Sequence, residues 1–327
     1  MKLTRRTISS SDRTHSRVMR LGVLVLAIGF VSFGVIYWQD QKVDAGPSLV
    51  NRQIEGAEAA VKKAPGNIGI RLQLATAYEI NKQTDDALKQ YDEVLKADKG
   101  NRTALLGRAG ALSEKGDLKG AASTYQKITS LVRKGEFAGA DPQLQEAYYY
   151  LGSIALTQGK TKEAITELAK ALNITRSDSD ALYLMGVARL KDGSPQLAVD
   201  SLKQALRFVP TGWCEPHTQL AEAHKKLGQV PQSTYSGAMA EFCQKRPDEA
   251  TNRLKTLVSG PVAVEALMGL GLIAETGSKN AEAISWYKKV LTVERTNSSA
   301  IASLSRLGVK PPVAPKAKAS STKQGRG

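Results

Sequence analysis

The side chains able to do chemistry in this 327-residue chain are few, and their types and spacing limit what they can do. Cys214 and Cys243 are the only cysteines; His15, His217 and His224 are the only histidines. If residues 214–228 and 231–245 form an antiparallel helical hairpin turning between Gly228 and Gln229, the two cysteines are equidistant from the turn and face each other at its open end. In an oxidising compartment that geometry favours a disulfide, stabilising the unit by about 2–4 kcal/mol. Two alternatives stay open. One is a pair of free buried thiols. The other is a metal site with Cys214 and His217 three residues apart and His224 two turns on, which lacks a fourth ligand and any paired Cys-x-x-Cys spacing. The chain has no Cys-x-x-Cys-His haem sequence, Gly-rich phosphate loop, His-Glu-x-x-His helix or Gly-x-Ser-x-Gly elbow. Asp85 and Asp86 open a helix, where carboxylates complement the helix dipole. Asn101-Arg102-Thr103, Asn173-Ile174-Thr175 and Asn297-Ser298-Ser299 match a glycosylation pattern that matters only in a eukaryotic secretory setting. The expectation is a protein that is not an enzyme and carries no cofactor and no resident metal.

The elements that position these residues repeat. Taking Leu74, Ala75, Tyr78, Ala87, Tyr91 and Val94 as a template, a step of 34 residues gives Arg108, Ala109, Leu112, Ala121, Tyr125 and Ile128. Five of these six are small or apolar, and Arg108 is the departure. A period of this length means stacked supersecondary units, each too small to bury its apolar face alone. A third unit restarts near Gln145 with Tyr148, Leu151, Gly152, Ala155, Ala164, Leu168 and Ala171. A fourth, from Ser179, carries Leu182, Met185, Gly186, Ala198, Leu202, Ala205 and a terminal Pro210. The last complete unit, from about Val264, has Leu267, Leu270, Gly271, Ala274, Ala283, Tyr287 and Val290. Gly116, Gly159 and Gly193 mark turns, and KGEFAGADPQ (134–143) reads as an inserted loop. Residues 213–262 fit two phasings. In one, Leu220, Ala221 and His224 belong to a first helix, with Ser233 and Gly237 on the second. In the other, Gly237 and Ala238 begin a unit completed by Ala250, Leu254 and Leu257. Each phasing leaves one helix unpaired.

These residues resemble the tetratricopeptide repeat family over about residues 65–300, with Gly152 and Ala164, then Gly186 and Ala198, at the paired small positions of the helical hairpin. The resemblance implies an all-α, right-handed α-solenoid of helix-turn-helix repeats whose first helices line a concave surface. One recurrent lining position falls on Leu72, Leu106, Tyr149, Tyr183 and Met268; the next, one turn later, falls on Thr76, Gly110, Ser153, Val187 and Leu272. Large apolar groups beside smaller ones describe a groove for an extended peptide or helix of a protein partner, although an apolar stripe at helical spacing is equally the signature of core. Family members that clamp a chaperone's C-terminal carboxylate use Lys and Asn in the first unit. Leu72 and Thr76 stand there instead, so that activity does not carry over.

The flanks describe an anchor and two basic tails. Leu21 to Trp38 is free of charge, just crosses a hydrocarbon core of about 30 Å as a helix when extended by Val18 and Met19, and ends in Tyr37 and Trp38, an interfacial aromatic pair. Residues 1–20 and 309–327 each carry a net +5 of the chain's +15, which weakens any nucleic-acid reading. The expected organisation is a basic cytoplasmic tail (1–20), a transmembrane helix (21–38), a tether and capping helix (39–64), a repeat solenoid (65–308) and a basic disordered tail (309–327). The excess of basic residues before the span places the N-terminus in the cytoplasm and the repeat body outside it. Cleaved-signal and inverted-orientation readings are the alternatives. Together these features describe a single-pass membrane scaffold that recruits other envelope proteins, with two further readings: a holdase-like accessory factor for secretion or cytochrome maturation, and an envelope tether acting through its basic tail.

Overall fold

The computed structural model describes Ser32 and residues 49–208 and 212–310. Apart from Ser32, the apolar 21–38 segment lies outside these residues, as does the tail beyond Lys310. Among the described residues no helix is long and apolar enough to cross a membrane. They form fifteen α-helices and no strand, in two compact units that meet between Ala87 and Leu88.

The first unit holds α1 (Leu49–Lys63), α2 (Ile68–Ile80) and the opening turn of α3 (Thr84–Ala97). Pro65 and Gly66 end α1, and Asn67 starts α2 by accepting a hydrogen bond from the Ile70 amide at 3.1 Å. α1 and α2 pack together around Ile54, Leu74 and Tyr78, and the Tyr78 hydroxyl donates to Glu58 at 2.6 Å. α1 thus covers the apolar face of α2, as a capping helix must in a stack whose units cannot close their own cores.

The second unit continues through α4 (Arg102–Glu114), α5 (Leu118–Val132), α6 (Pro142–Thr157), α7 (Thr161–Ile174), α8 (Ser179–Lys191) and α9 (Pro195–Phe208). It then runs through α10 (Glu215–Lys226), α11 (Val230–Cys243), α12 (Pro247–Lys255), α13 (Ala263–Thr276), α14 (Asn280–Val293) and α15 (Ser298–Arg306). α4 pairs with α5, α6 with α7, α8 with α9 and α13 with α14, while each second helix also packs on the next first helix. The small positions permit this closeness. A Cβ on Gly152 would stand 2.6 Å from Leu168 Cγ, one on Gly186 2.6 Å from Leu202 Cγ, and one on Gly271 2.3 Å from a ring carbon of Tyr287. The turn glycines Gly116, Gly159 and Gly193 take φ of 81°, 74° and 81°, the left-handed region that reverses the chain after a first helix.

Several local expectations change in three dimensions. Arg108, the departure from the repeat pattern, reaches across two helices: its Nε donates to Asp92 at 2.7 Å and its Nη1 to Thr124 Oγ1 at 3.0 Å. The third unit begins at Pro142, before Gln145, because Asp141 accepts from the Gln143 and Leu144 amides and Pro142 fills the first helical position. The inserted loop is correspondingly shorter, with a 3-10 turn at Ala138–Ala140. Asn101 and Asn297, read as glycosylation acceptors, are helix caps. Their side-chain oxygens accept from Ala104 and Ala300, and their Nδ2 groups donate to Asp98 and Glu294.

Neither phasing of 213–262 leaves a helix unpaired. α11 pairs with α10 on one side and with α12 on the other, and it also touches α13 in the way the first helices α6 and α8 touch each other. Ser236 and the consecutive run Ala238, Met239, Ala240 and Glu241 are buried, which a helix facing a single neighbour cannot achieve. α11 is therefore the second helix of one pair and the first helix of the next, shifting the array by one helix.

Candidate protein-binding surface

Four of the five expected lining residues lie in the second unit, on α4 (Leu106), α6 (Tyr149), α8 (Tyr183) and α13 (Met268). α4, α6 and α8 touch in sequence, so the first three share one layer of helices. Leu72 belongs to the first unit, where it borders a cleft of about 640 Å³ with Ala57, Ala60, Ile70, Thr76 and Ile80. All five are half-buried. Leu106, Tyr149, Tyr183 and Met268 each pack one side against a buried apolar cluster, so they are both core and surface.

The tyrosines have well-defined surroundings. Tyr149 meets Tyr150 edge-on with ring centres 5.1 Å apart, and Tyr150 stacks on Tyr125 of α5, also at 5.1 Å. Tyr183 leans on Trp213 at 5.2 Å. Burial, with added repulsion from Asp180, Tyr150 and Asp178, pushes the Tyr149 phenol up to about 12; burial and Glu215 raise that of Tyr183. Both phenols stay protonated at neutral pH. They offer apolar faces and a hydroxyl donor, which suits recognition and not base catalysis.

Cys214 and Cys243 are joined in a disulfide with Cα atoms 5.3 Å apart, at the open end of the α10–α11 hairpin. The bond removes the thiolate that a metal site would need. His224 is buried and donates from Nδ1 to Gln229 Oε1 at 2.6 Å, which makes it a brace at the hairpin turn. Burial pushes the imidazoles of His217 and His224 down, so both are neutral at pH 7. Among the described residues no group of three or more His, Cys, Asp or Glu side chains is arranged to hold a metal ion.

A feature that sequence reasoning missed lies beside the disulfide. Where α11 shifts the array, α10, α11 and α13 line a half-open cavity of about 550 Å³ with Trp213, Met239, Phe242, Leu272 and Ile273, together with a half-buried His217 and an exposed Lys245. Trp213 connects it to Tyr183. Its signals in the sequence were Leu272, an expected lining position that forms one wall, and the irregular 213–262 stretch, which carries Trp213, Met239 and Phe242 at positions the repeat pattern does not use.

Family models described as tetratricopeptide repeat match residues 72–138, 145–178 and 235–300, together about half of the chain. The chain belongs to the tetratricopeptide repeat family. The match from 235 starts inside α11 and so treats α11 as a first helix, while the disulfide holds the same helix to α10 as a second one. Among curated proteins, the tetratricopeptide repeat and J domain-containing co-chaperone DNJ1 of Fusarium oxysporum is 25% identical over 198 residues, 58% of this chain and 37% of its own length. The type IV pilus assembly protein PilF of Pseudomonas aeruginosa is 28% identical over 160 residues, 48% of this chain and 56% of its own. The chain therefore spans less than two thirds of the length of either relative. The C-terminal part of a TPR repeat-containing protein from Cytophaga hutchinsonii, a solved structure, is 19% identical with a TM-score of 0.50, covering 77% of this chain and 93% of that one. It shares the fold.

Proposed function

We propose that this protein is a non-catalytic, single-pass membrane scaffold whose repeat body lies outside the cytoplasm and binds other envelope proteins through the layer of first helices. The observation that carries the reading is the pair Tyr149 and Tyr183, each half-buried, each held by a second aromatic ring, and each on a first helix of a stacked pair. Rigid aromatic groups with one open face are the usual anchors of protein interfaces. The apolar 21–38 segment supports the anchor, and similarity to a pilus assembly protein supports a role in building an envelope complex. Similarity to a co-chaperone supports a second reading, a holdase that takes unfolded clients.

The full chain, used as bait against solubilised native membranes, is compared with a Tyr149→Ala, Tyr183→Ala double variant whose helicity is first checked by circular dichroism. One dominant protein retained by the parent and lost by the variant is the expected result. Equal recovery from both overturns the groove reading. A broad set of unfolded clients, with suppression of their aggregation, favours the holdase.

A further inference from the structure

We propose that the cavity at the α10–α11–α13 junction is a binding site for an amphipathic carboxylate, a hydrocarbon or aryl chain ended by one acidic group, with the chain inside and the carboxylate at Lys245. The reading goes beyond the scaffold function, which uses the tyrosine positions.

The first argument is size. At about 550 Å³ the cavity falls within the roughly 300–1,000 Å³ of small-molecule sites. The second is its polar inventory. Trp213, Met239, Phe242, Leu272 and Ile273 form the walls, and apart from Lys245 the lining offers few side-chain polar groups, chiefly those of His217 and Thr276. A peptide backbone pressed against these walls would find few side-chain partners for its amides, whereas an apolar chain has none to satisfy. The methionine and the aromatic rings suit a flexible chain, because a thioether adapts to irregular apolar shapes.

The third argument is charge. No carboxylate lines the cavity, Lys245 is exposed at its edge, and among the described residues no carboxylate is paired with the Lys245 ammonium. Lys245 also occupies a left-handed position with φ 63°, equivalent to the turn positions taken by Gly116, Gly159, Gly193 and Gly228 elsewhere. A non-glycine residue there works against backbone preference, as Lys82 and Ser278 also do. The disulfide borders the site: Cys243 is part of the lining and its partner Cys214 follows Trp213 in the chain, so the bond ties the segment carrying Trp213 to α11.

The test is calorimetric titration of the full chain with decanoate, below its micelle-forming concentration, beside decyltrimethylammonium as the opposite-charge probe. Saturation at one decanoate per chain is expected, with affinity lowered at least about tenfold by Lys245→Glu, the loss of a charge-assisted contact. Lys245→Gly should keep or raise thermal stability, since glycine suits the left-handed turn, and still weaken decanoate binding. That separates recognition from folding. Thr276→Trp, which fills the cavity from α13, should abolish binding. The proposal is overturned by an absence of saturable heat, by equal binding to all four proteins, or by decyltrimethylammonium binding as tightly as decanoate. It is also overturned if the peptide acetyl-Asp-Phe-Leu-Phe-amide binds more tightly than decanoate and displaces it, which would make the cavity a partner-peptide anchor.

Discussion

Gly186→Ala puts the logic of the repeat at risk in a single methyl group. An ideal Cβ at Gly186 stands 2.6 Å from Leu202 Cγ, 2.8 Å from Leu202 Cδ2 and 3.4 Å from the Ala198 carbonyl oxygen. Carbon atoms prefer separations of about 3.5–4.0 Å, so α8 and α9 must part by roughly 1 Å or Leu202 must leave its rotamer. Leu202 is fully buried and has no open space to enter. Overpacking of this kind costs about 1–3 kcal/mol, against a gain of about 1 kcal/mol from replacing a helical glycine by alanine. The net expectation is a loss of up to about 2 kcal/mol.

Gly110 provides the internal control. It lies within α4, and a Cβ there meets nothing within 4 Å, so Gly110→Ala should stabilise by about 1 kcal/mol. Urea unfolding followed by far-ultraviolet circular dichroism measures both, with hydrogen exchange on α8 and α9 added because repeat arrays need not unfold as one unit. In a Leu202→Ala background the clash partner is gone, and Gly186→Ala should then become stabilising. If Gly186→Ala stabilises the parent protein as Gly110→Ala does, or has the same effect with and without Leu202, the close-crossing argument fails.

Reducing the Cys214–Cys243 bond opens a link between residues 29 apart and should destabilise the α10–α11 hairpin by about 3.5 kcal/mol on the chain-entropy model, read as a lower urea midpoint in Trp213 fluorescence with Trp38 and Trp286, the other two tryptophans, replaced by Phe. An unchanged midpoint would mean that the hairpin is held by packing alone. Stability should fall as pH drops below the ordinary histidine pKa of about 6.5, because folded His224 and His217 stay neutral while the unfolded chain takes up protons. His224→Gln should reduce that slope between pH 7.5 and 5.5, and an unchanged slope would exclude His224 as a source. At the C-terminal end Arg306 donates to Glu275 at 2.7 and 3.0 Å and Tyr287 donates to it at 2.9 Å. The Arg306 contact holds the Glu275 carboxyl below its usual range, so this contribution is present above about pH 4.5 and is lost as pH falls below it; Arg306→Ala should free α15, seen as faster hydrogen exchange there. Ser278→Gly should stabilise by about 0.5–1 kcal/mol by relieving its left-handed φ of 59°, and a lower thermal midpoint would count against that account.

The array places two kinds of apolar surface next to each other. The tyrosine positions present single rings, each braced by a neighbour, whereas the cavity is a half-open pocket lined from three helices beside a disulfide. Trp213 touches both, as a wall of the cavity and as the ring on which Tyr183 leans.

The sequence alone determined the helical pairs and their repetition. The 34-residue step, the small residues at Gly152, Gly186 and Gly271 and the glycines at the turns are local requirements of a close helical crossing, repeated in each unit, and so they are legible residue by residue. The facing cysteines were legible for the same reason, since distance from a turn sets height along a hairpin. Only the tertiary structure decided what Arg108, α11 and the cavity do. The partners of Arg108 are Asp92 and Thr124, each sixteen residues away on a different helix, and no local pattern names them. α11 is apolar or small nearly all round, which says that it is buried but not between which helices. Its double role follows from the faces that α10, α12 and α13 present to it, and the cavity is the space those three unequal contacts leave unfilled.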